Sequence, residues 1–159
     1  MCVNVVDTPM EGGTMIEVVL NDDLEWSRGK RAAHAAHAVI HKYGIRYTHA
    51  IRVLNAKPRD IPSLGTLMSE RVAYSFDKES NSLTIYMAVR KSDTRDMTAT
   101  AAAYAALDYY RVKDVPLTVS GGTLSEIETC PTIIRDAGRT ELDPGTVTAG
   151  ARCVKYTTA

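Results

Sequence analysis

The chain has 159 residues, 45% of them hydrophobic and 24% charged, a composition that fits one globular domain and excludes a disordered or fibrous chain. No run approaches the ~18 apolar residues of a membrane span, and residues 1–25 carry acids where a secretory leader would carry bases, so a cytoplasmic protein is expected. The three cysteines, Cys2, Cys130 and Cys153, have no CxxC spacing, which argues against a disulfide framework or a zinc knuckle.

In chain order, residues 1–13 read as a flexible N-terminal extension and 14–159 as one domain. Met15–Leu20 is a β-branched run and reads as a buried strand. Ser27 caps an alanine-rich helix that runs to about Tyr43, where Gly44 stops it. Thr48–Leu67, interrupted by Pro58 and Pro62, reads as loop with short helical pieces. Val72–Phe76 and Ser82–Val89 read as strands around the polar turn Asp77–Asn81. A second alanine-rich helix covers Asp96 to about Tyr110, capped by Ser92 or Asp93. Leu117–Ser120 reads as a short strand followed by a Gly121-Gly122 turn, Thr132–Arg135 as a strand, and Thr146–Tyr156 as containing the last one. The fold class expected is α/β: a single compact domain with a mixed, mostly four-stranded sheet flanked by helices on both faces.

Charge is balanced overall, with 19 bases and 19 acids, but unevenly placed. Residues 1–25 hold six acids and no base, whereas residues 26–59 hold eight bases, all four histidines and no acid. Such asymmetry fits an anion-facing surface; it equally fits a solvated helix face balanced by the acidic segment before it.

Lys30, His34, His37 and His41 recur at helical spacing, so they form one stripe on the first long helix. Histidine titrates near neutrality and suits acid–base work, and a nearby lysine can stabilise an oxyanion. An exposed polar face is the competing reading. A metal site is a weaker one, because HExxH is missing and Lys30 would repel a cation. The segment Arg28-Gly29-Lys30 is not a Walker loop, although the helix start with Arg28, Lys30 and Arg31 favours a phosphate. A second constellation, Arg135-Asp136-Ala137-Gly138-Arg139-Thr140, puts an aspartate at a strand end; it reads as a site or as a turn whose aspartate binds its own backbone.

Taken together, the two segments resemble the type 2 peptidyl-tRNA hydrolases. Residues 23–38, Asp23-Leu24-Glu25-Trp26-Ser27-Arg28-Gly29-Lys30 and onward to His37-Ala38, are similar to that family's D-L-x-M-x-x-G-K-x-A-A-Q-x-x-H-A signature. Trp26 stands for the usual methionine and His34 for the usual glutamine. Residues 131–148, from Pro131-Thr132-Ile133-Ile134-Arg135-Asp136 to Pro144-Gly145-Thr146-Val147-Thr148, resemble the second signature closely. The chain departs from the family at Ala149–Val154, where LGIGP is usual, and in the longer segment 45–79.

The resemblance implies hydrolysis of the ester joining a peptide to the 3′ ribose of tRNA, with no metal or cofactor, by a protein that is commonly a homodimer. It implies peptidyl-tRNA as the partner and no membrane. On that basis His37 or Asp136 would orient or deprotonate water, and Lys30 would stabilise developing charge. Thr140 and Thr148 would supply hydroxyl hydrogen bonds at the ester, and Arg28, Arg31, His34 and Arg139 would contact the tRNA. The rival expectation is a module of the same fold that grips an RNA end or a protein without hydrolysing anything.

Overall fold

The computed structural model describes residues 14–45, 50–113 and 115–155; the expected N-terminal extension lies outside them. The described residues open with β1 (Thr14–Asn21), whose Ile16, Val18, Val19 and Leu20 are all at most 2% exposed. Burial on both faces explains why β1 reads as a continuous apolar run without alternation. Helix α1 (Arg28–Lys42) starts at the Ser27 cap, whose hydroxyl accepts the Lys30 N–H at 3.1 Å. The helix stops where Gly44 adopts φ +78°, so both ends follow the cap and stop read from the sequence.

The middle of the chain forms β2 (Ala50–Asn55), a single 3₁₀ turn (Pro58–Asp60), the short helix α2 (Ile61–Leu64), β3 (Thr66–Ser69), β4 (Val72–Asp77) and β5 (Ser82–Met87). Then follow α3 (Arg95–Tyr109), β6 (Leu117–Gly122), the short α4 (Leu124–Glu128), β7 (Thr132–Arg135) and β8 (Val147–Lys155). The strands make two four-stranded sheets, ordered β6-β1-β8-β7 and β2-β5-β4-β3. Each has one parallel pair, β1 with β6 and β2 with β5, and is otherwise antiparallel. The molecule is therefore a compact mixed α/β fold with a second sheet beside the first. Among the described residues no helix is long and apolar enough to cross a membrane.

The second sheet depends on β2 and β3, which lie in the stretch expected to be loop. Their pairing partners, not their own propensity, make them strands: β2 is an edge held only by β5, and all four residues of β3 are exposed. The short helical pieces expected there are the 3₁₀ turn and α2. Helix α3 is capped by Thr94 rather than Ser92 or Asp93; the Thr94 hydroxyl accepts the Met97 N–H at 3.1 Å. Asp93 is engaged elsewhere, accepting the Arg90 N–H and pairing with Arg71. Gly121 and Gly122 continue β6 instead of turning. They pair with Leu20 and Asn21, and a Cβ on Gly121 would stand 1.9 Å from a carboxylate oxygen of Asp22. Among the described residues Cys130 is a free, buried thiol and Cys153 is disulfide-bonded.

Helices α1 and α3 pack against each other through alanines, among them Ala32, Ala35 and Ala36 of α1 and Ala99, Ala102 and Ala106 of α3, all fully buried. Both sheets add to the same core, the first through Val18 and Leu20 and the second through Leu83 and Ile85. Arg31, 2% exposed, crosses this helix pair and bonds Asp22 at 3.1 Å and Asp96, in the first turn of α3, at 2.7 Å. It is a structural residue, and the expectation that it contacts tRNA phosphate is withdrawn. Removing it deletes two charge-assisted hydrogen bonds and a buried stem, while both carboxylates retain access to water. Arg31→Ala is therefore expected to cost about 2–3 kcal/mol in urea unfolding. Arg31→Lys should recover only part of this, because one ammonium replaces a two-armed fork. A midpoint unchanged by Arg31→Ala would contradict this role.

Candidate active site

Helical periodicity turns Lys30, His34, His37 and His41 to one side of α1, and all four line a single cavity of about 350 Å³. The imidazoles follow one another edge to face, with centroids 6.0 Å apart for His34–His37 and 5.8 Å for His37–His41. Ala50 and Ile51 of β2 form the facing wall, and Ile134, Asp136 and Arg139 bring in the end of β7 and its following loop. The two constellations, about a hundred residues apart in sequence, thus meet at one cavity.

Asp136 is fixed from both of its chemical ends. Its N–H donates to the Thr146 carbonyl and its carbonyl accepts the Gly145 N–H, each at 2.8 Å. Gly138, at φ +79°, turns its own N–H onto Oδ2 at 2.9 Å. The turn reading and the site reading of this aspartate are therefore both met, because Oδ1 remains for α1. Lys30 Nζ lies 2.6 Å from Oδ1, and His34 Nε2 lies 3.1 Å from the same oxygen. The other imidazole nitrogen, Nδ1, is 2.6 Å from the Thr148 hydroxyl, which is itself 3.2 Å from the Ile134 carbonyl.

This chain of contacts accommodates two proton states without moving a heavy atom. When His34 is neutral, Nε2–H donates to Asp136 and the Thr148 hydroxyl donates to Nδ1. When His34 is charged, Nδ1–H donates to Thr148 and the hydroxyl proton turns to the Ile134 carbonyl. The neutral state prevails near pH 7. Burial first, and then the Lys30 charge, lower the His34 pKa to about 4, against the opposing pull of Asp136. His37, half-buried, is lowered to about 3 by burial and by the charges of His34, His41 and Lys30. For Asp136 burial is the largest influence and acts upward. The Lys30 hydrogen bond, the Gly138 N–H and the Lys30 and His34 charges together outweigh it, so the carboxyl stays below its ordinary range.

Of the other expected site residues, Thr148 is fully buried in the cluster, and Arg139 lines the cavity. Thr140 is exposed in the bend after Gly138 and is not part of the cavity wall. Arg28 stands outside it, its guanidinium donating to the Asp93 carbonyl at 3.1 Å and close to the Thr98 hydroxyl at 3.4 Å. His34, expected at the tRNA surface, is 6% exposed and instead joins Asp136 to Thr148. Two contributors were not anticipated. Glu141 accepts both the N–H and the hydroxyl of Ser27, anchoring the start of α1 to the loop after Asp136. Trp26 stands edgewise over His34 at 5.7 Å. Nothing in the spacing of Glu141 signals its role, since its partner is 114 residues away. Among the described residues, no group of three or more His, Cys, Asp or Glu side chains is placed to hold a metal ion.

The lowered imidazole pKa values make stability depend on acid. Below pH 6.5 the unfolded chain takes up a proton at His34, while the folded chain does so only near pH 4. Stability contributed by the neutral imidazole is therefore complete above that window and lost as pH falls through it. The His34 shift corresponds to on the order of 3 kcal/mol. The urea midpoint is expected to fall between about pH 7 and about pH 4.5, and to fall less in His34→Gln; equal slopes for the two chains would rule this out.

No family model matches the chain, and no curated protein or solved structure was found to be similar to it.

Proposed function

We propose that the chain hydrolyses the ester of peptidyl-tRNA. One arrangement carries the reading: the Lys30–Asp136 pair, 2.6 Å long, joins the two segments that resemble the hydrolase signatures, at the wall of a cavity lined by further titratable groups. A tRNA substrate would put this work in the cytoplasm.

Ester hydrolysis needs a positioned water, stabilisation of the oxyanion and a grip on the leaving ribose. Lys30 has three N–H donors, and its bond to Asp136 uses one. The Lys30 side chain is 19% exposed and lines the cavity, so its remaining donors would serve an ester carbonyl bound there. Asp136 holds that ammonium in line. Neutral His37 offers a lone pair to a water on the same wall. With a pKa of about 3 it is a weak base, so it takes the proton only as the water attacks. The greater part of the rate enhancement then comes from Lys30, since one oxyanion donor is typically worth about 10²–10³ in rate. Thr148 orients His34, and His34 in turn positions Asp136.

His34 in the place of the family's glutamine fits this division of roles. A glutamine amide could donate to Asp136 through its N–H and accept from Thr148 through its carbonyl, as the neutral imidazole does.

The test is release of an N-acetyl-amino acid from its tRNA. Lys30→Met is expected to slow it about 10²–10³-fold, and Asp136→Asn by about the same, since the ammonium loses its anchor. His34→Gln should stay within about tenfold of the natural chain, whereas His34→Leu should fall with Asp136→Asn. If the natural chain released no more than the uncatalysed rate, the hydrolase reading would be overturned and the binding module would take its place.

A further inference from the structure

Two clefts lie end to end along the seam between α1 and β2. The first is the candidate active site, bounded by α1 from Lys30 to His41 and by Ala50 and Ile51 at the start of β2. The second, of about 440 Å³, is bounded by Arg28 and Gly29 at the start of α1 and by Val53, Leu54 and Asn55 at the end of β2. Gly29 allows the strand this close, since a Cβ there would stand 3.0 Å from the Val53 carbonyl oxygen. The outer wall of the second cleft is the loop after β5, with Arg90 and Lys91, both exposed.

Charge along this seam is one-sided. Arg28, Arg90 and Lys91 line the second cleft, and no acid is among its lining residues. Lys30, Arg135 and Arg139 line the first with Asp136 as its one carboxylate. The nearby Asp93 is already paired with Arg71 and accepts the Arg90 N–H. Arg28 is held by a carbonyl and a hydroxyl, which fix its position, and it pairs with no carboxylate among the described residues. A six-residue strand such as β2 is about 20 Å long, the axial rise of roughly six stacked nucleotides.

We propose that the second cleft binds the sugar–phosphate backbone of an RNA strand whose 3′ end enters the active-site cavity. The direction of the strand rests on the hydrolase reading; the binding itself does not. The second sheet then has a purpose: its edge strand forms one bank of the channel, and the loop after β5 supplies the cations. Backbone contacts of this kind position a strand without reading its bases.

The experiment is fluorescence anisotropy of an end-labelled single-stranded RNA of about 12 nucleotides with the full chain, over a range of salt. Arg90→Ala combined with Lys91→Ala is expected to weaken binding about tenfold or more at low salt. It should also flatten the slope of log K against log salt by about 1.4, or 0.7 for each phosphate no longer neutralised. Both side chains are exposed, and the bond that orders this loop comes from the Arg90 backbone, so the variant should keep its urea midpoint. Lys155→Ala removes a charge at the opposite end of β8 and should bind as the natural chain does. An unaltered slope in the double variant overturns the proposal. So does equal competition by a polyglutamate peptide of matched charge, which would assign the cleft to an acidic protein. RNA binding that depends on Arg90 and Lys91 in a chain without hydrolytic activity would keep the cleft and remove the hydrolase reading. Hydrolysis with an unchanged KM in the double variant would do the reverse.

Discussion

Asp136 carries a charge with only 4% of its surface open to water, and much of the molecule is arranged around that fact. A buried carboxylate is tolerated only when its oxygens are occupied by donors and an opposite charge is close. Gly138 occupies one oxygen from within the same turn, while Lys30 and His34 occupy the other from α1. The compensation is therefore non-local. It locks α1 against the end of β7, and Glu141 ties the same helix to the same loop a few residues further on. A helix held at its cap by one residue and at its first turn by another cannot rotate. The titratable stripe behind Lys30 is thereby committed to the cavity.

That stripe is usable because the rest of α1 is thin. Alanines bring α3 close on one side, and Gly29 brings the β2 backbone close on another. Larger side chains at these positions would push both neighbours away and open the cavity to water. Desolvation holds His34 and His37 neutral near pH 7 and strengthens the ionic contact between Lys30 and Asp136. Packing by small residues and the electrostatics of the site are one property of this helix.

How much was legible beforehand follows the range of the interactions. The bounds of α1 were readable because Ser27 and Gly44 act within a turn of the helix. The stripe was readable because periodicity maps directly onto a face. Strand β2 was not, because AIRVLN becomes a strand only through β5, and the intervening prolines suggested a loop. The cap of α3 is ambiguous in sequence because three consecutive residues, Ser92, Asp93 and Thr94, all cap well; in the fold Asp93 is taken by Arg71 and Thr94 accepts the Met97 N–H. His34 was assigned to the surface because a motif position shows which residue is present and not which way its two nitrogens point. Its partners, Asp136 and Thr148, come from another part of the chain.

Lys30 and Arg31 show why charge counted along a sequence says little about what it meets. They are neighbours, yet helical geometry sets their side chains about 100° apart. Lys30 reaches the cavity and Asp136; Arg31 is sealed between α1 and α3 on Asp22 and Asp96. Lys42, in the same basic segment, is also buried. Among the described bases of residues 26–59, Arg31 and Lys42 are buried in the fold, and Arg28 and Lys30 border the α1–β2 seam. Arg31 and Lys42 are thus closed to an anion, whereas Arg28 and Lys30 are placed to meet one. The seam concentrates them because β2, from outside either motif, lies alongside the start of α1. A recognition surface built this way needs no excess charge in the chain as a whole, which is consistent with its balance of 19 bases against 19 acids.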